Sequence, residues 1–339
     1  MRSLALMVDE YQFWMGGILA TQLEEITDDP KKVSDGGFWA ASISFEGVST
    51  FARFSKVKKN DFPRREWKPL SGIWSSSLGR EDYIDYVSQI RETISRGGVY
   101  QVNACRLLSN EMDKISLGLS GLFSKLLDEN PAPYASYLSI PGLEIASASP
   151  ELFLSRSGKM IKTSPIKGTI REQETSFGEK DRAENLMIVD LMRNDLGQIC
   201  QPGTVDVSEL FRHEKHPGLV HLVSDVKGEL KEGVTWEEIL RATTPPGSVS
   251  GAPKSAALSI IGQVEGARGP YCGALGWING TQAQLSVAIR TFWNSNEDLV
   301  RFGTGAGITW GSDSELEWEE TQLKARKLIS IAGGTLSDS

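Results

Sequence analysis

The chain has 339 residues, 36 basic against 44 acidic, for a formal net charge of −8, with 40% apolar and 24% charged residues. That balance belongs to an ordinary globular protein long enough to bury a large core without staples, as two domains or as one large α/β domain. The acidic surplus argues against a nucleic-acid or polybasic membrane partner, since phosphate backbones and anionic lipids do not attract it. Cys105, Cys200 and Cys272 lie far apart without C-x-x-C spacing, which excludes a zinc cluster or an even disulfide set and suits a reducing cytoplasm. No apolar run reaches 18 residues, and Asp9 and Glu10 interrupt the opening MRSLALMVDE, so neither a membrane span nor a signal peptide is expected.

In chain order, GGFWAASISF and VSTFARFSKV alternate like strands, and DFPRREWKPLSG reads as a loop. The stretch REDYIDYVSQIRETIS predicts a helix over 80–95 with Tyr83, Val87, Ile90 and Ile94 on one face, stopped at Gly97-Gly98. VYQVNACRLL follows as a strand, and SLGLSGLFSKLLDEN as a helix ended by Asn130-Pro131. YASYLSI, LEIASAS, ELFLSRS and KMIKTSP are short strands punctuated by Pro-Gly and Ser-Gly turns. KDRAENLMIVDLMRNDLG predicts a third helix with Ala183, Met187 and Leu191 as its apolar side. TPPGSVSGAPKSAALSII passes from a loop into a helix, CGALGWING and AQLSVAIRTFWN form a hairpin turned at Asn279-Gly280, LVRFGTGAGITW is a glycine-rich strand and loop, and DSELEWEETQLKARKLISIA is a closing amphipathic helix. The strands follow one another in meanders, which favours a mostly antiparallel sheet with helices packed outside.

Two glycine-rich segments invite a nucleotide reading and both fail on spacing. GSVSGAPKS places Ala252-Pro253 between Gly251 and Lys254, and proline removes an N–H that a phosphate cradle needs. FGTGAGITWG does not match G-x-G-x-x-G, though its glycines leave a carboxylate-binding backbone open. Of the three histidines, His213 and His216 lack a third ligand at metal spacing and read as surface residues, while His221, in LVHLVS, reads from composition as a core histidine. Carboxylates are the better lead. Glu317 and Glu320 sit at i, i+3, usually a solvated face, but Glu320 converging with Glu184 makes a sparse oxygen site that leaves magnesium most of its waters. Lys167, before a Gly-Thr pair, reads by itself as an exposed lysine.

The order of the blocks SASPELFL, SPIKGTIRE, KDRAENLMIVDLMRNDLG, PPGSVSGAPK, YCGALGW, LSVAIRTF, FGTGAGI and ELEWEETQLKA resembles the chorismate-utilising enzymes from about Gly79 to Ile331. The resemblance implies one structural domain of α/β (α+β) class: two antiparallel sheets in a β-sandwich core wrapped by helices, residues 1–78 a short N-terminal part of the sandwich and 79–339 the chorismate-binding region. It implies Glu151 as general acid for the C4 hydroxyl, and His221 beside the ring, reversing the core reading. It also implies Gly168, Thr169, Tyr271, Arg290, Gly305, Ala306 and Gly307 as substrate contacts, and Glu184 and Glu320 as magnesium ligands, with Glu317 holding a metal-bound water. A guanidinium, backbone amides and magnesium suit a dianionic substrate.

Two positions select the branch. Isochorismate and salicylate synthases are expected to carry a lysine base where Gln101 stands, and an amide cannot take a proton from water. The block that reads PIAGT in anthranilate synthases reads PIKGT here, the signature of the aminodeoxychorismate synthase component I branch. There Lys167 attacks C2 as the C4 hydroxyl leaves, ammonia adds at C4 and expels the lysine, and a separate lyase makes 4-aminobenzoate for folate. A free lysine is neutral only on the order of one time in a thousand near neutral pH, so Lys167 must be desolvated to act. No Cys-His-Glu glutaminase block is present, so ammonia is expected from a glutamine amidotransferase subunit or from solution. The first 75 residues carry no LLES-like motif of the kind that holds tryptophan in several members. The competing readings are anthranilate synthase component I and a catalytically silent chorismate-binding homologue.

Overall fold

The computed structural model describes residues 11–112, 118–171, 177–216, 219–295 and 298–337. The opening segment MRSLALMVDE therefore lies outside the described residues, as does the start of the second helix at 116–117. Among the described residues six helices pack against the strands: α1 Arg80–Ser95, α2 Ser120–Glu129, α3 Glu179–Ile199, α4 Trp236–Thr243, α5 Lys254–Val264 and α6 Ser314–Ala332. None of them is long and apolar enough to cross a membrane.

The strand ladder is antiparallel except where Gly333–Leu336 runs parallel to Leu70–Ser76. It runs unbroken from the edge strand Asp206–His216 through Leu219–Glu229, Met160–Ser164, Leu152–Ser157, Gln282–Val287, Ala274–Asn279 and Phe38–Ile43. It continues through Ser49–Lys59, Ile18–Thr27, Gln12–Met15, Tyr134–Ile140, Leu143–Ser149, Thr291–Asn294 and Leu299–Ile308 to Gln101–Glu111. The expected antiparallel halves are thus joined by hydrogen bonds through the first two strands. The larger apolar core gathers α1, α3, α4 and α5, and the smaller one gathers α2 and α6 around Trp74, Phe123 and Phe292.

Several local expectations change. In α3 the buried residues are Ile188, Val189, Met192, Leu196 and Ile199 with the polar Asn185 and Asp195, whereas Ala183 is exposed and Met187 and Leu191 are only half-buried. The apolar stripe is rotated because Asn185 bonds to the sheet: its amide donates to the Leu222 carbonyl at 3.3 Å and its carbonyl accepts from Ser224 Oγ at 2.5 Å. The hairpin pairs Asn279 with Gln282, so its two-residue turn is Gly280-Thr281, with Gly280 at φ 58°. AQLSVAIRTFWN is two strands, broken where Arg290 adopts φ 52°. The segment read as a loop over 61–72 ends inside the Leu70–Ser76 strand, and α4 was passed over although Thr235 and Glu238 form a capping box at its start.

Candidate active site

Glu151 lies between the Leu143–Ser149 and Leu152–Ser157 strands and is held by its own backbone. Its N–H donates to Ser149 Oγ at 3.2 Å, its carbonyl accepts from the Val287 N–H at 3.0 Å, and Ser149 Oγ donates to the Val287 carbonyl at 2.5 Å. The side chain is 4% exposed. Burial pushes its carboxyl up to about 7, against the Ser248 hydroxyl, the Lys167 ammonium and the Ile166 N–H, which favour the ionised form. A carboxyl so placed exchanges its proton near neutrality, as a general acid must.

Lys167 belongs to the Ile166–Arg171 strand, not to an exposed turn. That strand pairs with Leu219–Glu229, setting Ile166 opposite Val223 and Thr169 opposite His221. Burial pushes the Lys167 ammonium below the ordinary lysine value. Glu184, Glu151 and Glu320 oppose that shift, and Lys324 adds to it. One lysine therefore lies within electrostatic reach of three predicted carboxylates from three separate parts of the fold. Gly168, at φ 82°, sits where a side chain would press on Asp181 and Phe177 at 3.0 Å, so the strand passes close beneath the start of α3. His221 is 2% exposed within the ladder. Phe177 packs beside the His213 ring at 5.1 Å, and His213 is exposed on the edge strand, as expected.

The Leu299–Ile308 strand carries Gly305, Ala306 and Gly307, paired with Cys105, Ala104 and Asn103. The glycines answer a packing demand: a Cβ on Gly303 would lie 2.1 Å from the Tyr271 ring, and one on Gly307 would lie 2.6 Å from Gln101 Nε2 and 3.4 Å from Lys167 Nζ. Tyr271 is thus buried against the glycine strand, beside the thiols of Cys105 and Cys272. Arg290 is half-buried, its ammonium-like charge disfavoured by burial, and its guanidinium makes no hydrogen bond or ion pair among the described residues. Its backbone carbonyl accepts from the Ala148 N–H at 3.0 Å, which seats it on the strand leading to Glu151.

Helix α6 brings Glu317, which is buried, and Glu320, which is half-exposed. The helix starts at an Asp313 cap whose carboxylate accepts from the Glu315 and Leu316 amides. Lys324, not anticipated from sequence, bridges Glu320 at 2.5 Å and the Gly305 carbonyl at 3.1 Å. An i, i+4 Glu–Lys spacing was the available signal. Ser248 was likewise missed, since nothing in PPGSVSGAPK distinguishes its serines until the fold places one on Glu151. Lys254, the lysine of the Walker-like segment, forms a salt bridge with Asp195 of α3 at 2.6 Å and so anchors that loop.

Hard oxygen donors, with an ammonium already seated between a carboxylate and a carbonyl, fit a divalent cation of the magnesium type. Among the described residues no three carboxylate, imidazole or thiolate groups close a metal cage by themselves, so such an ion keeps water or substrate oxygens as its remaining ligands.

A half-buried lysine, a buried glutamate whose carboxyl is pushed toward neutrality and carboxylates within electrostatic reach of that lysine lie together on an antiparallel α/β scaffold. The chain belongs to the chorismate-binding enzyme family, whose model matches residues 39–330. It is 36% identical over 276 residues to an anthranilate synthase component 1 of Haloarcula marismortui, covering 78% of this chain and 56% of that protein. It is 34% identical over 275 residues to the aminodeoxychorismate synthase component 1 of Bacillus subtilis, covering 77% and 58%, and 35% identical over 295 residues to that of Escherichia coli, covering 82% and 63%. The chain spans a little over half the length of the first of these relatives. In fold it resembles the anthranilate synthase component I of Streptococcus pneumoniae, with a TM-score of 0.77, 23% identity and 94% and 90% of the two chains covered. The menaquinone-specific isochorismate synthase of Escherichia coli gives a TM-score of 0.78 at 18% identity, covering 98% and 92%. The expected family and fold are borne out.

Proposed function

We propose that this chain is the chorismate-aminating component of an aminodeoxychorismate synthase, converting chorismate and ammonia to 4-amino-4-deoxychorismate and water. The observation that carries the reading is Lys167: a lysine desolvated in the cleft, facing Glu151 and next to Gln101. Neutral Lys167 attacks C2 of the ring, the double bonds shift, and the C4 hydroxyl leaves as water with the proton supplied by Glu151. The adduct nitrogen stays protonated; ammonia adds at C4, the reverse shift expels the lysine as the neutral amine, and the new C4 ammonium returns a proton to the Glu151 carboxylate. Arg290 and the glycine-strand backbone receive the substrate carboxylates, with Gly168, Thr169, Tyr271 and His221 bordering the ring. Glu184 and Glu320, with Glu317 behind, would hold a magnesium ion that supplies positive charge to a substrate carboxylate. Gln101 binds but does not deprotonate, so isochorismate is at most a trace product.

The names of the relatives imply a second component, which we assign as a glutamine amidotransferase that supplies ammonia, with a separate lyase consuming the product. Anthranilate synthase component I is the second reading, because relatives of that name match equally well. The test is the product formed from chorismate, ammonium and magnesium. The proposal expects 4-amino-4-deoxychorismate, converted to 4-aminobenzoate only on adding the lyase; a fluorescent aromatic acid formed without lyase overturns it in favour of anthranilate synthesis.

A further inference from the structure

Arg106 is 1% exposed, among the most deeply buried side chains of the molecule, and among the described residues its hydrogen-bond partners are all neutral. Nε donates to Thr321 Oγ1 at 3.0 Å, Nη2 to Gln322 Oε1 at 3.1 Å and Nη1 to Ser76 Oγ at 3.0 Å, while the guanidinium lies 4.1 Å from the centre of the Trp318 ring. Removing a cation from water without an acidic partner is costly, and an apolar side chain of similar volume would fill the space without that cost. The arrangement therefore calls for a role beyond packing.

Three of the four partners lie on α6 at 318, 321 and 322, interleaved with the carboxylates at 317 and 320. Arg106 itself lies on the Gln101–Glu111 strand, opposite Thr304 of the glycine strand, whose hydroxyl donates to the Thr321 carbonyl at 2.8 Å. Thr321 is thus gripped from both paired strands, one residue from Glu320.

We propose that Arg106 is a positioning residue for the cation site: it sets the register of α6 on the glycine strand and holds the turn that carries Glu317 and Glu320 in place for a divalent ion. This rests on the reading of α6 as the metal-bearing helix. The role predicts a loss in metal affinity with chemistry at saturating metal largely preserved, which loosened packing alone does not produce.

The test is manganese binding to the purified full chain, read from the electron paramagnetic resonance of free aquo-manganese, alongside thermal unfolding. Arg106→Met is expected to fold and to bind manganese at least tenfold more weakly, Arg106→Lys to recover part of the loss, and Thr321→Val, which removes one of the three hydrogen bonds, to fall between. Arg106→Met binding as tightly as wild type overturns the proposal, as does wild-type protein that takes up no manganese. Where Arg106→Met does not fold, Thr321→Val decides alone: weakened binding supports the proposal and unchanged binding overturns it. Failure of the amination reading shows separately, as wild-type protein that binds manganese but makes no 4-amino-4-deoxychorismate; the proposal for Arg106 is then judged on binding.

Discussion

Gln101 and Lys167 meet across the bare Cα of Gly307: a methyl group there would stand 2.6 Å from one side-chain nitrogen and 3.4 Å from the other. Gln101, proposed to bar addition of water, and the proposed nucleophile therefore share one small space. Gly307→Ala should displace the Gln101 amide and crowd the lysine, at an overpacking cost of about 1–3 kcal/mol. Turnover is expected to fall at least tenfold, with circular dichroism showing an intact fold. An unchanged kcat would remove Gly307 from the reaction space.

Lys167→Ala should abolish normal amination at C4, and any residual product should carry nitrogen at C2, the route open to ammonia without a covalent relay. Mass spectrometry of wild-type protein given chorismate and no ammonia should reveal an adduct of chorismate less water on the Lys167 peptide. Wild-type rates of 4-amino-4-deoxychorismate formation by the alanine variant would refute the covalent mechanism.

Protonation gives a directional test. Glu151 must carry a proton to act as an acid, so activity should fall as pH rises through about 7, whereas Lys167 must be neutral, so its titration governs the rising limb. Stability follows the same carboxyl. Its folded pKa is raised from 4.5 to about 7, so the stability it contributes is full below pH 4.5 and is lost as pH rises to about 7, on the order of 3 kcal/mol. Glu151→Gln should flatten the decline of Tm over that window and eliminate turnover; a decline as steep as wild type would place the titration on another group.

Glu320→Gln should cripple turnover while leaving the fold intact, because a hydrated ion loses one of its few charged ligands. Activity near wild type at ordinary magnesium concentrations would exclude Glu320 as a metal ligand.

Lys254 gives a purely structural prediction. Its partner Asp195 has a side chain only 6% exposed, and removing one member of a buried pair leaves an uncompensated charge. Lys254→Met should lower stability by about 3–5 kcal/mol in chemical denaturation, and adding Asp195→Leu should return much of it. An exposed pair would show less than about 1 kcal/mol.

Much of this architecture is legible in the sequence wherever a period is clear. The first helix shows it: Tyr83, Val87 and Ile90 are buried as spacing requires. Periodicity failed on α3, where the buried face is set by Asn185 bonding to Leu222 and Ser224, a polar anchor that hydropathy cannot see. It also missed the break at Arg290, since a left-handed residue inside an apolar run carries no compositional mark. Composition misjudged Lys167 for a related reason: its enclosure is built by strands and helices distant in sequence, and only the ordered blocks of a family pointed to it. Glu317 and Glu320 look alike in sequence, yet Arg106 and Trp318 draw the turn between them inward and bury one of the two.

The Lys324 ammonium, seated between Glu320 and the Gly305 carbonyl, gives the proposed cation site a counter-ion of its own. A divalent ion drawn to Glu320, as proposed, would have to displace that tethered ammonium, so loading would be an exchange of one cation for another and not the filling of a bare negative site.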